Sequence, residues 1–427
     1  MREKMEDYIR KQFPAIKNKY REQQMVYLDG PGGYQVPNRV INAMTNYLID
    51  MNANTEGAFI TSERNDEMIK NARNAFADFF NCSWDEVVFG ANMTTLNFSL
   101  SQALSREMNA GDKVIITEID HEGNRGPWLE LKKQGIVVDE IAVNPHTCTL
   151  DMDDFKRKLT SNTKVVAVNY ASNGVGTIND IDKFIALSKD VGALTVVDAV
   201  HYVAHRPIDV KKLGTDFLFC SAYKFFGPHI GVMFAKKDIL NKLTPLKVKP
   251  QSDYPPYMIE TGTLNQEGIA GAAEAVEFVA DIGAKYGGEY NLQDKNIEHC
   301  RRNNIVNGLL SFERYEEKLT KYLIDELSRI KEVNIYGPPE GHPRTSTVSF
   351  TYKGYTPRKI AEYLGEKGIF VWDGDFFATR LIERLGLANK GGLIRIGIAP
   401  YNTKEELTGL IRALNDKKSL ENHCRVS

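Results

Sequence analysis

Cysteine is scarce in this chain: five among 427 residues, at positions 82, 148, 220, 300 and 424, with no CxxC or CxxxC spacing. Thiols this few and scattered exclude a zinc site built on cysteine pairs and a disulfide frame, and they suit a reducing compartment. Long apolar runs are missing too, since charge interrupts every apolar stretch well short of the ~20 residues a membrane helix needs. The opening residues, Met1-Arg2-Glu3-Lys4-Met5-Glu6-Asp7, carry acids where a signal peptide would be apolar. Net charge is almost absent, −2 at pH 7, which gives no electrostatic ground for a nucleic-acid or membrane partner. Repeats and low-complexity tracts are lacking. The expectation is a cytoplasmic globular chain without a resident metal.

What is there is an alternation of short apolar strands with helical patterns. Glu86–Gly90, Val114–Glu118, Val165–Tyr170, Leu194–Asp198, Phe217–Cys220 and Val232–Ala235 read as strands, with helices over Thr94–Met108, through Trp128 and Leu131, and from Ile181. The strands are apolar on both faces, as in a buried, mainly parallel sheet, and right-handed crossovers then place helices on both sides. Pro245, Pro250, Pro255 and Pro256 mark a loop over 244–262, followed by a helix over 265–282. Beyond Gly287 come longer charged helices and the strands Thr345–Phe350 and Leu393–Ile398. A chain of this length exceeds one core. The predicted division is an N-terminal segment (1–22) packed with the small domain, a large domain (23–286) and a small α+β domain (287–427). The predicted fold class is therefore α/β, a doubly wound, mainly parallel sheet with a smaller α+β domain.

In such sheets ligands bind beyond the C-terminal strand ends. Thr94 and Thr95, His121, Asn173, Asp198 with His201, and Ser221 with Lys224 all fall just past predicted strands. Any one of them alone has an ordinary structural explanation, such as a helix cap or a solvated charge. Five such groups at successive strand ends read as one site. An acid ending one strand, followed by a lysine near the end of the next, is what a pyridoxal phosphate (PLP) enzyme requires: the amine holds the cofactor and the acid keeps its ring nitrogen protonated.

A family resemblance rests on short segments whose order and spacing are specific together. They are Tyr27-Leu28-Asp29-Gly30-Pro31-Gly32-Gly33, Asp120-His121-Glu122-Gly123-Asn124 to Pro127-Trp128, Ser172-Asn173-Gly174-Val175-Gly176-Thr177, Asp198-Ala199-Val200-His201, Ser221-Ala222-Tyr223-Lys224, Glu260-Thr261-Gly262-Thr263, and Arg395 through Tyr401-Asn402-Thr403. The chain resembles the class V aminotransferase family of fold-type I PLP-dependent enzymes, in its cysteine-desulfurase-like branch. The resemblance implies that pyridoxal 5'-phosphate binds the large domain with Lys224 as its covalent anchor, the freed amine then serving as base for the Cα proton. It makes Asp198 the partner of the pyridine nitrogen and His121 the residue stacked on the ring. His201 stands where relatives carry glutamine against the phenolic oxygen, and Asn173 serves the same oxygen or the substrate. Thr94, Thr95, Ser221 and Tyr223, the last in place of a usual histidine, fall on phosphate positions. Thr263 matches a residue that reaches the phosphate of a second subunit, which implies a homodimer. Arg395 matches the guanidinium that holds the substrate carboxylate through two parallel hydrogen bonds.

The resemblance breaks at the sulfur-carrying loop. A cysteine desulfurase takes sulfur on a mobile cysteine after an Arg-x-Gly sequence, whereas here the loop reads Trp372-Asp373-Gly374-Asp375-Phe376-Phe377-Ala378. Phe377 stands near the cysteine position and Trp372 replaces the arginine. The aromatics predict an enclosed pocket, and Asp373 and Asp375 are candidates for a polar distal group or for plain solvated acids. The expected function is Cα deprotonation of a small amino acid leading to a C–S lyase (β-elimination) without a protein persulfide. Aminotransferase and epimerase chemistry stay open, as does a binding protein that kept the fold and lost catalysis.

Overall fold

A computed structural model of the chain describes residues 3–290 and 300–426. Its large domain is built on a seven-stranded sheet, in spatial order Val87–Gly90, Gly231–Ala235, Phe217–Ser221, Leu194–Asp198, Thr163–Asn169, Lys113–Thr117, Val137–Ile141. All neighbouring pairs run parallel except those of Gly231–Ala235, which is antiparallel to both its neighbours. Six of the seven strands are those expected from the sequence; the edge strand Val137–Ile141 was not anticipated. Its Val-Val-Asp-Glu-Ile carries acids that a central strand would exclude. At an edge they are tolerated, and here Asp139 pairs with Lys113 and Glu140 with Arg125.

Side chains alternate between two apolar layers, so each strand divides by parity. Leu218 and Cys220 point into one layer, with Phe76, Phe79 and Phe225, while Phe217 and Phe219 point into the other, with Leu96, Leu100 and Trp128. The helices Ile60–Phe80 and Gln266–Tyr286 cover the first face; Met93–Ser105 and Glu122–Leu129 cover the second.

The small domain has an antiparallel sheet in the order Val333–Tyr336, Thr347–Tyr352, Leu393–Gly397, Trp372–Gly374. Here parity separates apolar from polar. Val348, Phe350, Ile394 and Ile396 face a helical core, whereas Thr347 and Ser349 lie opposite Gly397 and Arg395 on the other face. That polar face meets the large domain: the Ser349 hydroxyl donates to Gly174 O at 2.5 Å. The two domains are also joined by a parallel pairing of Val26–Tyr27 with Ile369–Phe370. The N-terminal helix, Met5–Gln12, touches both: Ile9 and Phe13 enter the layer containing Phe226 and Phe278, and Arg10 bonds Glu406 at 2.7 Å. No helix among the described residues is long and apolar enough to cross a membrane.

Candidate active site

Asn169, Asp198 and Ser221 end three neighbouring strands, and strand parity sends all three to the same face. Val165, Ala167, Val196, Phe217 and Phe219, two or four residues earlier, lie in that layer. The helix Met93–Ser105 starts there, capped by Asn92, whose side chain accepts the Thr95 N–H. A glycine makes this close approach possible, since a Cβ at Gly231 would fall 2.4 Å from the Asn92 carbonyl carbon. Ser221 Oγ accepts the Met93 N–H at 3.3 Å, tying helix start to strand end.

Between these ends lies a cavity of about 170 Å³, lined by Thr94, His121, Asn173, Asp198, His201, Ser221, Tyr223 and Lys224, with Asn92, Met93, Asn169, Ala171 and Val200. Eight of the ten predicted cofactor residues are thus brought together. Thr95 is one turn position too far round the helix: it is exposed, and its hydroxyl donates back to Asn92 Oδ1 at 2.9 Å. Thr263 is on the surface, within the exposed run Thr261–Thr263. A larger cleft of about 730 Å³ lies between the helix Arg301–Leu327 and the segment Gly337–Ser346, but it gathers none of the strand-end residues.

Burial sets the protonation of this cavity. A short 3₁₀ turn, Ala222–Phe225, carries Lys224 to the cavity wall, where its amine donates to the Pro31 carbonyl. Burial, reinforced by the Arg395 charge and opposed by Asp198 and Asp29, lowers that amine to about 7. Burial raises the Asp198 carboxyl to about 6, while the Val200 N–H bonded to its Oδ1 at 2.9 Å pulls the other way. His121 Nδ1 accepts the Gly123 N–H at 2.9 Å, so the neutral ring carries its proton on Nε2. Burial, with Lys224 and Arg395 adding to it, lowers this ring to about 4. The Lys224 amine also sits 4.8 Å from the Tyr223 ring centre, and Tyr223 stacks on His229.

Arg395, the predicted carboxylate holder, is buried behind Asn173 and is not among the residues lining the cavity. It donates to Asn173 O at 3.1 Å and lies 4.1 Å from the Phe376 ring centre, and its Nε has no partner among the described residues. The aromatic loop packs against two of the lining residues, Asn173 and His121. Phe376 O accepts the Asn173 side-chain amide at 2.8 Å, Phe377 O accepts the Glu122 N–H at 2.7 Å, and the Phe377 ring stacks on His121. Phe376 and Phe377 both adopt left-handed backbone, φ 59° and 55°. The loop acids are occupied structurally: Asp375 accepts the Phe377 N–H and the Thr379 hydroxyl, and Asp373 pairs with Arg358 at 3.2 Å. Asp375 is exposed, as a solvated loop acid would be, and neither carboxylate lines the cavity. Of the described cysteines, none lines the cavity; Cys220 points into the opposite layer.

Sequence reasoning passed over Asp29 and Asp120. Asp29 leaves Oδ1 buried without a partner among the described residues, and burial raises its carboxyl to about 6. Asp120 accepts from Thr117 and Asn124 beneath the His121 segment, with its carboxyl raised to about 7 by burial. Both stood in quoted segments, but loop position gives no parity from which to read direction.

The fold is the fold-type I architecture, and the site has a lysine and an acid at adjacent strand ends facing one cavity. The sequence profile of the aminotransferase class-V family matches residues 26–301 and 303–410. The chain belongs to that family and is an enzyme of its PLP-dependent class. It is 31% identical to an aminotransferase-like protein of Gibberella zeae, over 95% of this chain and 96% of that protein. It is 28% identical, with the same coverage of both, to a cysteine desulfurase of Yersinia pseudotuberculosis. Among solved structures, the apo cysteine desulfurase of Thermococcus onnurineus NA1 is similar, with a TM-score of 0.86, 26% identity, and coverage of 97% of this chain and 98% of that one. These relatives support the cysteine-desulfurase-like branch.

Proposed function

We propose that this chain binds pyridoxal 5'-phosphate in the 170 Å³ cavity and removes the Cα proton of a small amino acid, with loss of a sulfur group from Cβ as the reaction. The observation that carries the reading is Lys224, a buried amine lowered to about 7, sharing one cavity with the buried Asp198 carboxyl. The donor set fits the cofactor. Thr94 at a helix start and the Ser221 hydroxyl would hold its phosphate, and Asp198 its ring nitrogen. The chemistry supplied by the bound cofactor is an electron sink for the pair left at Cα.

The protein's part is positioning and proton handling. Arg395, with an unpartnered buried Nε, is poised for a carboxylate, and the Asn173 side-chain oxygen is likewise unpartnered among the described residues. Lys224, unprotonated above about pH 7, takes the Cα proton and can return it to the leaving side of the substrate. His121 is fixed in the cavity wall by its Gly123 bond, and the exposed Phe377 ring stacks on it. Phe377 stands where a desulfurase keeps its thiol, which supports elimination without a protein persulfide. A homodimer, with Thr263 of each subunit reaching the other's site, belongs to the same reading.

The test is direct. Purified protein should be yellow, and borohydride should add the cofactor's mass to the peptide carrying Lys224. Cysteine should yield sulfide, ammonia and pyruvate, and a chain with all five cysteines changed to serine should retain that activity. Colourless protein with no adduct sinks the cofactor reading; loss of sulfide release in the cysteine-free chain sinks the thiol-free elimination. The aminotransferase reading draws support from the Gibberella zeae relative's name. It requires an amino donor alone to change the visible spectrum and a keto acid to restore it.

A further inference from the structure

His201 lines the cavity, yet one of its ring nitrogens is already taken. Nε2 lies 3.1 Å from Thr345 Oγ1 and 2.9 Å from Thr347 Oγ1. Nδ1 has no partner among the described residues. Which nitrogen carries the proton decides whether this wall donates or accepts, and the threonines answer it. Thr347 is fully buried, and His201 Nε2 is the hydroxyl's hydrogen-bond partner in the structure. If Nε2–H donated to it, the Thr347 proton would be left unbonded in the interior, whereas a hydroxyl oxygen with a spare lone pair is commonly tolerated. The bond therefore runs from Thr347 O–H to Nε2. Thr345 agrees with this when its hydroxyl also donates to Nε2, 3.1 Å away, since Gly176 O lies farther off at 3.5 Å and already accepts the Thr345 N–H at 2.9 Å.

We propose that Thr347, with Thr345 beside it, locks His201 in the Nδ1–H tautomer, so that this wall presents a donor and selects a ligand atom that can only accept, such as a phenolate oxygen. The tautomer is a property of the chain alone; the choice of ligand rests on the proposed function. Charge agrees with the geometry. Burial holds the His201 ring well below its ordinary value, and the neighbouring His205, Lys224 and Arg395 add to that, keeping it neutral. His205 meets it edge-on at 5.2 Å and is itself fixed by Glu316 at 2.6 Å and Tyr34 at 3.1 Å. Asp198 then offers an acceptor while His201 offers a donor. A cavity polarised in this way suits a protonated ring nitrogen and an ionised ring oxygen on the same molecule. Thr345 and Thr347 are positioning residues; neither lines the cavity.

The experiment is ¹⁵N–¹H correlation of the histidine side chains in full-length protein, with and without pyridoxal phosphate, the His201 signals being assigned by their loss in His201→Gln. Wild-type protein should show a protonated Nδ1 and a bare Nε2 at His201 in the cofactor-free sample. Thr347→Val, which keeps the shape and removes the hydroxyl, should move the proton to Nε2, and Thr347→Ser should restore it. With cofactor bound, Thr347→Val should shift the visible absorption band towards the form with a protonated ring oxygen, and Thr347→Ser should reverse the shift. A wild-type His201 protonated on Nε2 overturns the proposal, whether or not the Thr347 variants fold. A tautomer that switches with no change in the visible band overturns the ligand half. Protein that binds no cofactor but shows the Nδ1–H ring defeats the proposed function and leaves the tautomer standing.

Discussion

At the scale of single residues, burial has moved the protonation of groups in and around the cavity towards neutrality from both sides. The carboxyls of Asp29 and Asp198 are raised to about 6 and that of Asp120 to about 7, so each keeps its proton longer in the folded chain than in the unfolded one. Their contribution to stability is present at low pH and is lost as the pH rises through 6 to 7. The Lys224 amine, lowered from 10.5 to about 7, works in the opposite sense: stability rises again as the pH climbs from about 7 towards 10.5. Cofactor-free protein should therefore show its lowest urea midpoint near pH 7. Lys224→Met should remove the rise above that pH, and a flat profile in wild-type protein would contradict the burial of these groups. Arg395→Lys removes a planar two-point contact and should lower kcat/KM roughly 10- to 150-fold, mostly through KM, the equivalent of about 1.5–3 kcal/mol for hydrogen bonds to a charge. The strand-end residues of this site were legible in the sequence, because Asp198 and Ser221 inherit their direction from the strands that carry them. Thr95 was not, because one residue along a helix turns a side chain by about 100°. Asp29 was hidden by a loop, and the His205–Glu316 pair by a separation of 111 positions.

At the scale of elements, the segment before Thr263 is held by one buried ion pair. Arg73, 1% exposed, makes two parallel bonds to Glu260, 2.9 and 2.7 Å, and also donates to Val87 O, while Glu260 accepts the Phe89 N–H. Helix, edge strand and proline-rich loop thus meet at one carboxylate. Glu260→Gln leaves a buried guanidinium without its counter-charge and should destabilise the fold by about 3–5 kcal/mol in urea titrations. Changing Arg73 and Glu260 together to methionine should destabilise it by less than the two single changes summed. Glu260 stood in a segment quoted for family likeness, and only the fold shows that its role is to anchor the loop. The small-domain strands were legible as strands, and their alternation Thr345-x-Thr347-x-Ser349 already separated a polar face. What that face meets was not, since His201 and Gly174 approach it from the other domain.

At the scale of the whole molecule, Thr263 lies on the surface of one chain while its proposed role lies in another. The arrangement is testable by mixing. Lys224→Ala and Thr263→Glu chains should each be inactive alone, yet equilibrated together they should regain up to about a quarter of wild-type activity. Mixed dimers then hold one site with both residues intact, and heterologous pairs of this kind form by mass action. If each chain completed its own site, mixing would restore nothing.

The two consecutive left-handed phenylalanines beside His121 and Asn173 have a consequence for local stability. A bulky residue in that conformation costs of order 1–3 kcal/mol, and two adjoin here, held by the carbonyl bonds to Asn173 and Glu122. Part of what those two bonds supply therefore offsets backbone strain, and losing either should loosen this loop before it disturbs the strands beneath.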